Sequence, residues 1–342
     1  MRRLTICLTL LAALLPVRAP ARAAAPEQVT IAYQDMWNPF RVAMAGQALE
    51  KATGWRIRWR HFDSGADVIR ALASGDVQIG EAGSSPIAAA LSQGVDVKLV
   101  WILENIGGAE ALVVRNGAGI TAPRDLAGKR IATPFVSTSH FHLLFALQQF
   151  GFAPGAVRVL NMRPAEIAAA WDRGDIDGAF VWDPVLSHLK RGGHVLITSG
   201  LLSSWGKATF DGMVVSSSFA ATHGDFVAAL VRVLAAADAR YRRDKAGWTA
   251  DSPEVAAIAK ITGGAPADIP AGLALYDFPP PADQVSPRWL GGGAQGGAAR
   301  ALLYTARFLK EQGRITEVRP DYAAAVDPAF AQKLVAAPDG RP

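Results

Sequence analysis

Cysteine is almost absent from this 342-residue sequence, and its scarcity excludes several classes of protein. The single cysteine, Cys7, cannot supply a disulfide framework, a cysteine-ligated zinc site or an iron–sulfur cluster. The six histidines lack the spacing beside acids or thiols that metal ligands show, and the chain has neither a P-loop lysine in its glycine-rich run nor a nucleophile elbow. We therefore expect no metal, no cofactor and no catalytic residue.

Long hydrophobic runs are also missing, except for one at the N-terminus. Met1–Arg3 carries two arginines, Leu4–Val17 is apolar, and Ala21–Ala23 places small residues around an arginine. This order is typical of an export signal, and its apolar run is shorter than the roughly 20 residues of a membrane-spanning helix. The sequence predicts a periplasmic protein whose signal peptide, residues 1–23, is cleaved after Ala23.

An excess of positive charge is present only in the uncleaved chain. It has 35 basic and 30 acidic residues, a formal net charge of +5 and a pI of about 9.5. The predicted signal contains four arginines and no acid, so its removal leaves a nearly neutral chain without cysteine. Such a chain lacks the basic field that nucleic-acid binding requires, and freedom from thiols suits an oxidising compartment.

The rest of the sequence alternates short apolar strands with amphipathic helices, over a length that suggests two lobes. Val29–Gln34 reads as a strand and Arg41–Ala52 as a helix, and strand Arg130–Thr133 precedes helix Ser139–Gly151. From Asp225 onward the pattern is mostly helical. The alternation predicts an α/β fold with parallel-rich sheets that are flanked by helices on both faces.

One pattern occurs twice, 99 residues apart. Ala71–Gly80 and Ala170–Ala179 each end a helix, turn through Gly-Asp and enter a strand, which then runs into a polar loop with a proline. We interpret the repeat as matched units of two lobes, although Gly-Asp after a helix is also a common stop signal. Open α/β sheets bind ligands at the carboxyl ends of their strands, which is where these loops lie.

Two predicted helix N-termini carry hydroxyl residues suited to an anion. Gly83–Ile87 places two serines before Pro86, a residue favoured at the first helical position, and Pro134–His140 places three hydroxyl residues before an apolar helix. Free backbone N–H groups and the positive helix end favour a phosphate, sulfate or sulfonate there. Ordinary capping explains most such residues, so it is the pairing of the two segments that indicates an anion site.

Carboxylates near predicted strand ends indicate a site for a cation. Glu110 opens a predicted strand, Asp183 follows an aromatic residue, and Asp211 precedes another strand. The aromatic residues nearby, which offer faces able to hold a cation, are Tyr33, Trp182 and Trp205. A site that pairs an anion cradle with carboxylates and aromatic rings suits a small zwitterion.

Several longer segments make the sequence similar to a known family. They are FDSG at 62–65, IRALASGDVQIG at 69–80, GSSP at 83–86, EALVV at 110–114, DLAGKRIATPFVSTSH at 125–140, AAWDRGDIDGAFVWDP at 169–184, WGKATFD at 205–211 and FLKEQGRI at 308–315. These segments resemble the sulfonate-, nitrate- and taurine-binding family of periplasmic solute-binding proteins of ABC importers, and its taurine-binding members most of all. The resemblance covers nearly the whole chain after residue 23.

The resemblance implies a type II periplasmic binding protein fold, with two α/β lobes, two crossover strands that form the hinge, and a ligand cleft between the lobes. The crossover strands would be Ala111–Val114 and Met213–Val215. One lobe would combine residues 24–112 with 214–342, and the other would span residues 113–213.

The resemblance also implies a site for taurine. Its sulfonate would lie against hydroxyl residues at the two helix N-termini, namely Ser84, Ser85, Thr138 and Ser139. Its ammonium would meet Glu110 and Asp211. The remaining residues implied to line the cavity are Tyr33, Gln34, Trp182, Asp183 and Trp205. Four residues depart from the family pattern and could alter the cavity: Asp35, Met36, Trp37 and Glu81.

The function implied is that of a monomeric substrate-binding component, not an enzyme, which captures taurine and delivers it to an ABC permease with its ATPase subunit. Other aliphatic sulfonates, aminoalkylphosphonates and nitrate stay open as ligands, although two retained acids disfavour ligands without a cation. An enzyme on this fold, such as the pyrimidine synthase of thiamine biosynthesis, is disfavoured by the export signal. A sensory protein that binds the same ligand also stays open.

Overall fold

The computed structural model describes residues 27–336, so the predicted signal peptide and its cleavage site lie outside the described residues. The strands are β1 (Gln28–Tyr33), β2 (Arg56–His61), β3 (Ile79–Gly83), β4 (Val97–Asn105), β5 (Glu110–Arg115), β6 (Arg130–Thr133), β7 (Arg158–Asn161), β8 (Gly178–Trp182), β9 (Gly193–Thr198) and β10 (Phe210–Ser216). The helices are α1 (Phe40–Ala45), α2 (Ala48–Thr53), α3 (Gly65–Ala73), α4 (Ser84–Ser92), α5 (Thr138–Gln149), α6 (Pro164–Arg173), α7 (Val185–Lys190), α8 (Ser199–Ser204), α9 (Ser217–Thr222), α10 (Gly224–Arg243), α11 (Pro253–Thr262), α12 (Ile269–Leu273), α13 (Pro281–Gln284), α14 (Gly297–Glu311) and α15 (Ala329–Ala336).

The strands form two five-stranded sheets of the same design. The first has the order β2-β1-β3-β10-β4, and the second has the order β7-β6-β8-β5-β9. In each sheet four of the five strands run in the same direction, and one strand, β10 in the first and β5 in the second, lies antiparallel to both of its neighbours. The sheets are therefore mixed but parallel-rich, as the alternation of strand and helix predicts. They give two helix-flanked α/β layers of the periplasmic binding protein type.

The sheets exchange one strand each. β5 follows β4 of the first sheet along the chain but pairs with β8 and β9 of the second. β10 follows the second sheet but pairs with β3 and β4 of the first. The chain thus crosses between the sheets twice, at residues 106–109 and again at residues 205–209.

The repeated Gly-Asp pattern falls at equivalent places in the two sheets. It joins α3 to β3 in the first and α6 to β8 in the second, and both strands are third in their sheet order. The glycines of the two turns have φ values of +81° at Gly75 and +78° at Gly174, in the left-handed region that glycine adopts without strain. The interpretation of the repeat as two matched units is confirmed by this topology.

The helix predicted at Arg41–Ala52 is wrong as a single element. It is divided into α1 and α2 at Gln47, whose φ of +52° interrupts the helical backbone. The periodicity continues across the break because both short helices present apolar residues, such as Phe40 and Leu49, to the core of the first sheet. The mostly helical pattern predicted from Asp225 onward is confirmed, and its two long helices, α10 and α14, cover that same core.

Two apolar cores flank the second sheet, one built around Phe141 and Phe180 and the other around Trp171 and Leu186. Met36 follows β1 of the first sheet, yet it packs into the second of these cores. Within residues 27–336, no helix combines the length and the apolar character that crossing a membrane requires.

Candidate functional site

A small cavity lies where the carboxyl ends of β3 and β8 face each other between the two sheets. Its lining comes from both: Gln34, Met36, Gly65, Gly83, Pro86 and Asp211 from the first, and Glu110, Ser137, Thr138 and Trp182 from the second. The cavity measures about 20 Å³, which is room for one water molecule. A larger ligand therefore enters only when the two layers move apart.

Two helix N-termini meet at this cavity. α4 begins directly after β3, with Gly83 in extended backbone as its N-cap, and α5 begins after Ser137, whose side-chain oxygen accepts from the His140 backbone N–H at 3.0 Å. A methyl group built on Gly83 would lie 2.8 Å from Cγ2 of Thr138. This close approach of the two layers thus needs glycine at position 83, because the two positive helix ends meet here.

The turn before α5 is strained. Val136 has a φ of +67°, a conformation that is rare for a β-branched residue. Its backbone N–H donates to Nδ1 of His140 at 3.0 Å, which holds the turn in this shape. The strain thereby fixes where Ser137 and Thr138 stand relative to the cavity.

Glu110 is the central carboxyl of the site. It is only 3% exposed, and its oxygens accept from Oγ1 of Thr138 at 2.5 Å and from Oγ of Ser199 at 3.1 Å. Burial raises the pKa of this carboxyl to about 7, against the hydrogen bonds from Thr138 and Ser199, which lower it. The hydroxyl of Thr138, which the sequence predicts to bind the sulfonate, thus donates to Glu110, the carboxyl predicted to bind the ammonium.

Two further carboxyl groups, Asp211 and Glu104, belong to the first sheet, across from Glu110. Asp211 on β10 is paired in register with Glu104 on β4, and both are buried. Burial, aided by neighbouring negative charge, raises the pKa of each well above its ordinary value. Neither side-chain oxygen of Glu104 has a hydrogen-bond partner among the described residues. The first sheet thus presents carboxyl groups for which burial favours the neutral, protonated form.

A buried ion pair supports the cavity from behind. Arg41 of α1 and Glu81 of β3 both have fully buried side chains, and a guanidinium nitrogen of Arg41 donates to Oε1 of Glu81. Glu81 also accepts from the backbone N–H of Gln34 at 2.5 Å, and the Gln34 side chain donates to the Glu81 carbonyl at 3.0 Å. Oε1 of Glu81, a residue that departs from the family pattern, therefore joins Arg41 to the Gln34 backbone, whereas its Oε2 has no partner among the described residues.

The other predicted site residues occupy different surroundings. The hydroxyls of Ser85 and Ser139 are buried without a partner among the described residues, whereas Ser84 accepts weakly from the Phe210 N–H at 3.5 Å. Tyr33 is half-buried beside the guanidinium of Arg41, whose carbon lies 5.4 Å from its ring centre.

Two predicted lining residues stand away from the cavity. Asp183 caps the next helix by accepting from the Ser187 N–H at 2.8 Å, and its second oxygen points toward Gly272. Trp205 is 43% exposed and its ring is edge-on to Phe145, with 6.5 Å between ring centres. Their roles in ligand binding stay predictions.

Several contributors to the site carry no signal in the sequence. Arg41, Glu104 and Ser199 reach it only through long-range pairing, across 40 residues in the case of Arg41 and Glu81. Of the departures from the family pattern, Met36 lines the cavity, whereas Trp37 donates to the Gly263 carbonyl at 3.3 Å. Within residues 27–336, no group of three or more His, Cys, Asp or Glu side chains is arranged to hold a metal.

Polar contacts also join the two layers outside the helix N-termini. The indole N–H of Trp182 donates to the Asp35 carbonyl at 3.1 Å. Farther from the cavity, Arg163 lies 3.3 Å from Asp63. Both contacts connect a residue of the second layer to a residue of the first.

Comparison with known proteins finds similar binding proteins among both sequences and solved structures. The family model described as "NMT1/THI5 like" matches residues 60–241. The taurine-binding periplasmic protein of Escherichia coli K12 is 40% identical over 95% of this chain and 98% of its own length. The alkanesulfonate-binding protein SsuA of Xanthomonas axonopodis pv. citri, solved bound to MOPS, superposes with a TM-score of 0.72 at 26% identity over 90% of this chain and all of that one. The periplasmic aliphatic sulphonate binding protein SsuA of E. coli has a TM-score of 0.69 at 24% identity, over 86% of this chain and 90% of that chain.

Proposed function

This chain belongs to the NMT1/THI5-like family and to the group of periplasmic binding proteins that includes the E. coli taurine-binding protein, and from that premise we propose that it binds taurine for import. The observation that carries the proposal is the meeting, at one cavity between two sheets, of two helix N-termini with two buried carboxyl groups. The helix ends suit the sulfonate, and Glu110 and Asp211 suit the ammonium.

The carboxyl groups favour a zwitterion over a simple anion. A sulfonate alone would bring negative charge next to Glu110 and Asp211, whose raised pKa values already reflect the cost of charge in this buried place. An ammonium beside them offsets that cost, because a buried charge is stable only with a partner. Taurine carries both groups two carbons apart, so one molecule can meet the helix ends and the carboxyl groups of the same cavity.

Binding would work by closure of the two lobes. We place the lobe boundaries at the two crossings, residues 106–109 and 205–209, a few residues before the boundaries 112/113 and 213/214 that the sequence predicts. Glu110 then belongs to the second lobe and Asp211 to the first. A ligand that contacts Gly83 and Asp211 on one side and Thr138 and Glu110 on the other stabilises the closed form more than the open one. The closed form would then dock on a membrane permease with its ATPase subunit, as a periplasmic monomer that lacks its signal peptide.

A matched pair of ligands tests the proposal. Titration calorimetry of the chain from residue 24 with taurine and with ethanesulfonate, which lacks the ammonium, should give binding of taurine and weak or no binding of ethanesulfonate. Glu110→Ala should weaken taurine by about a hundredfold or more, because it removes one partner of a buried charge pair. Clear binding of ethanesulfonate with no heat from taurine would contradict the proposal.

A second candidate is a binding protein for wider aliphatic sulfonates. It is favoured by the structural likeness to the alkanesulfonate-binding protein bound to MOPS. Competition between taurine and alkanesulfonates of increasing length separates the two candidates, since a cavity built around two carboxyl groups should lose affinity as apolar length increases.

A further inference from the structure

A hydrogen-bonded chain leads from the cavity into the second layer. Oε2 of Glu110 lies 3.1 Å from Oγ of Ser199, and that oxygen lies 2.7 Å from Nδ1 of His142. Nε2 of His142 in turn lies 2.7 Å from the Lys207 carbonyl oxygen. All three side chains are buried, with Ser199 and His142 at 0% exposure. The three groups are therefore shielded from water that could otherwise replace any of these bonds.

The positions of the hydrogens follow from what each group can donate. A carbonyl oxygen only accepts, so Nε2 of His142 carries a hydrogen. The hydroxyl of Ser199 has one hydrogen, yet it is bonded on both sides, to Glu110 and to His142. It can donate to one of them only, and the other must donate to it.

Two arrangements satisfy every bond. In one, His142 is neutral and accepts from Ser199, while a protonated Glu110 donates to the Ser199 oxygen. In the other, His142 is an imidazolium that donates to Ser199, and Ser199 donates to an ionised Glu110. Each arrangement puts one extra proton on Glu110 and His142 together. Without that proton, Ser199 would face two acceptors with a single hydrogen.

We propose that Glu110 and His142 share this one proton through Ser199, and that an ammonium ligand arriving beside Glu110 releases it to solvent. The inference rests on the proposed function, because it needs a cationic group at Glu110. The ammonium takes the place of the proton as the positive partner of the carboxylate, so the charge around Glu110 is unchanged, while the negative charge of the sulfonate falls to the two helix N-termini.

The surroundings place the proton on Glu110 before binding. Burial lowers the pKa of His142 to about 4, against the hydrogen bond from its ring to the Lys207 carbonyl, whereas burial raises the pKa of Glu110 to about 7. The groups that face Glu110 from the first sheet are Asp211 and, behind it, Glu81 with its partner Arg41. Around His142 the neighbours are the rings of Phe141 and Phe180.

The other titratable groups near Glu110 and His142 do not move the proton from Glu110 to His142. The ammonium of Lys207 lies over the rings of Phe145 and Tyr304, at 5.9 and 5.3 Å from their centres. Tyr276 is buried among Glu104, Asp211, Asp183 and Glu110, which together with burial raise its pKa well above the ordinary value, so it stays neutral.

Calorimetry in buffers of different ionisation enthalpy counts the protons released. At pH 6 we expect close to one proton per taurine, falling toward zero above pH 8, and an affinity that decreases about tenfold per pH unit below pH 7. Glu110→Gln, whose amide can donate to Ser199 as the protonated acid does, should abolish the release. Measurable taurine binding at pH 6 without proton release in the wild-type chain would overturn the proposal.

A second measurement needs no ligand and so is independent of the proposed function. In the ligand-free chain, the ring-nitrogen NMR signals of His142 should show a neutral ring protonated at Nε2, and they should sense the ionisation of Glu110 near pH 7. Ser199→Ala should remove that response, whereas Ser203→Ala, which deletes a buried hydroxyl of the same helix with no partner among residues 27–336, should keep it. A His142 signal that ignores pH between 6 and 8, or responds equally in Ser199→Ala, would refute proton sharing even if taurine binds.

Discussion

The Arg41–Glu81 pair offers a sharp test of how the site is supported. Both side chains are fully buried, and the guanidinium also donates to the backbone carbonyls of Gln34 at 2.9 Å and Met36 at 3.3 Å. Arg41→Met keeps most of the apolar stem but leaves Glu81 as an uncompensated buried charge. Breaking a buried pair in this way costs about 3–5 kcal/mol.

The expected result is a decrease in the free energy of unfolding by that amount, measured by urea denaturation, and a decrease in melting temperature of about 10 °C. Glu81→Gln should cost less, because Arg41 keeps its two backbone carbonyl partners. The double variant Arg41→Met with Glu81→Gln should be more stable than Arg41→Met alone, since it removes the unpaired charge.

The double variant separates this explanation from simple loss of packing. If the unpaired charge of Glu81 is the cause, Glu81→Gln should recover part of the stability that Arg41→Met loses, whereas a packing defect would leave that loss unchanged. The reasoning is refuted if Arg41→Met costs less than about 1 kcal/mol, or if the double variant loses the sum of the two single losses.

Three further outcomes are expected. Gly83→Ala should weaken taurine at least about tenfold without lowering the melting temperature of the ligand-free chain, because its methyl group meets Thr138 only when the lobes close; unchanged affinity in calorimetry would contradict this. Arg163→Gln should change the taurine affinity less than about threefold, since its pair with Asp63 is exposed on both sides and such pairs contribute little. Burial raises the pKa of Asp238 from 3.8 to about 8, so between these two values the group is protonated in the folded chain but ionised in the unfolded chain. The free energy of unfolding should therefore decrease as the pH rises from about 4 to 8. In Asp238→Asn, chemical denaturation should show a smaller change in that free energy over the same pH range.

The local elements could be predicted from sequence because their signals are short-range. The Gly-Asp turns, the proline at the start of α6 and the hydroxyl cap of α5 each lie within a few residues of the element they define. Sheet order is different, since β10 enters the first sheet between β3 and β4 through pairings more than 100 residues apart. Alternation of strand and helix therefore predicted the α/β class but could not reveal the antiparallel strand of each sheet.

The difference between short-range and long-range signals also explains which site residues could be predicted from the sequence. Glu110 and Thr138 stand at the ends of elements with recognisable polar patterns, and they do meet at the cavity. Arg41 is one arginine at the start of a helix, and nothing near it in sequence indicates a partner on β3. His142 gives no signal either, because its bond to Ser199 joins two helices across 57 residues.

The electrostatics of the cavity limit what it can hold. Glu104, Glu110 and Asp211 all have raised pKa values caused first by burial, which means that the buried site resists carrying their negative charges together. Arg41, the buried guanidinium nearby, is already paired with Glu81 and cannot compensate a second carboxylate. Each further ionisation then needs a positive charge from outside, and a ligand with one ammonium supports one ionised carboxyl. A ligand with a sulfonate and no cation supports none, so the affinity for such ligands should rise as the site is acidified, opposite to the trend expected for taurine.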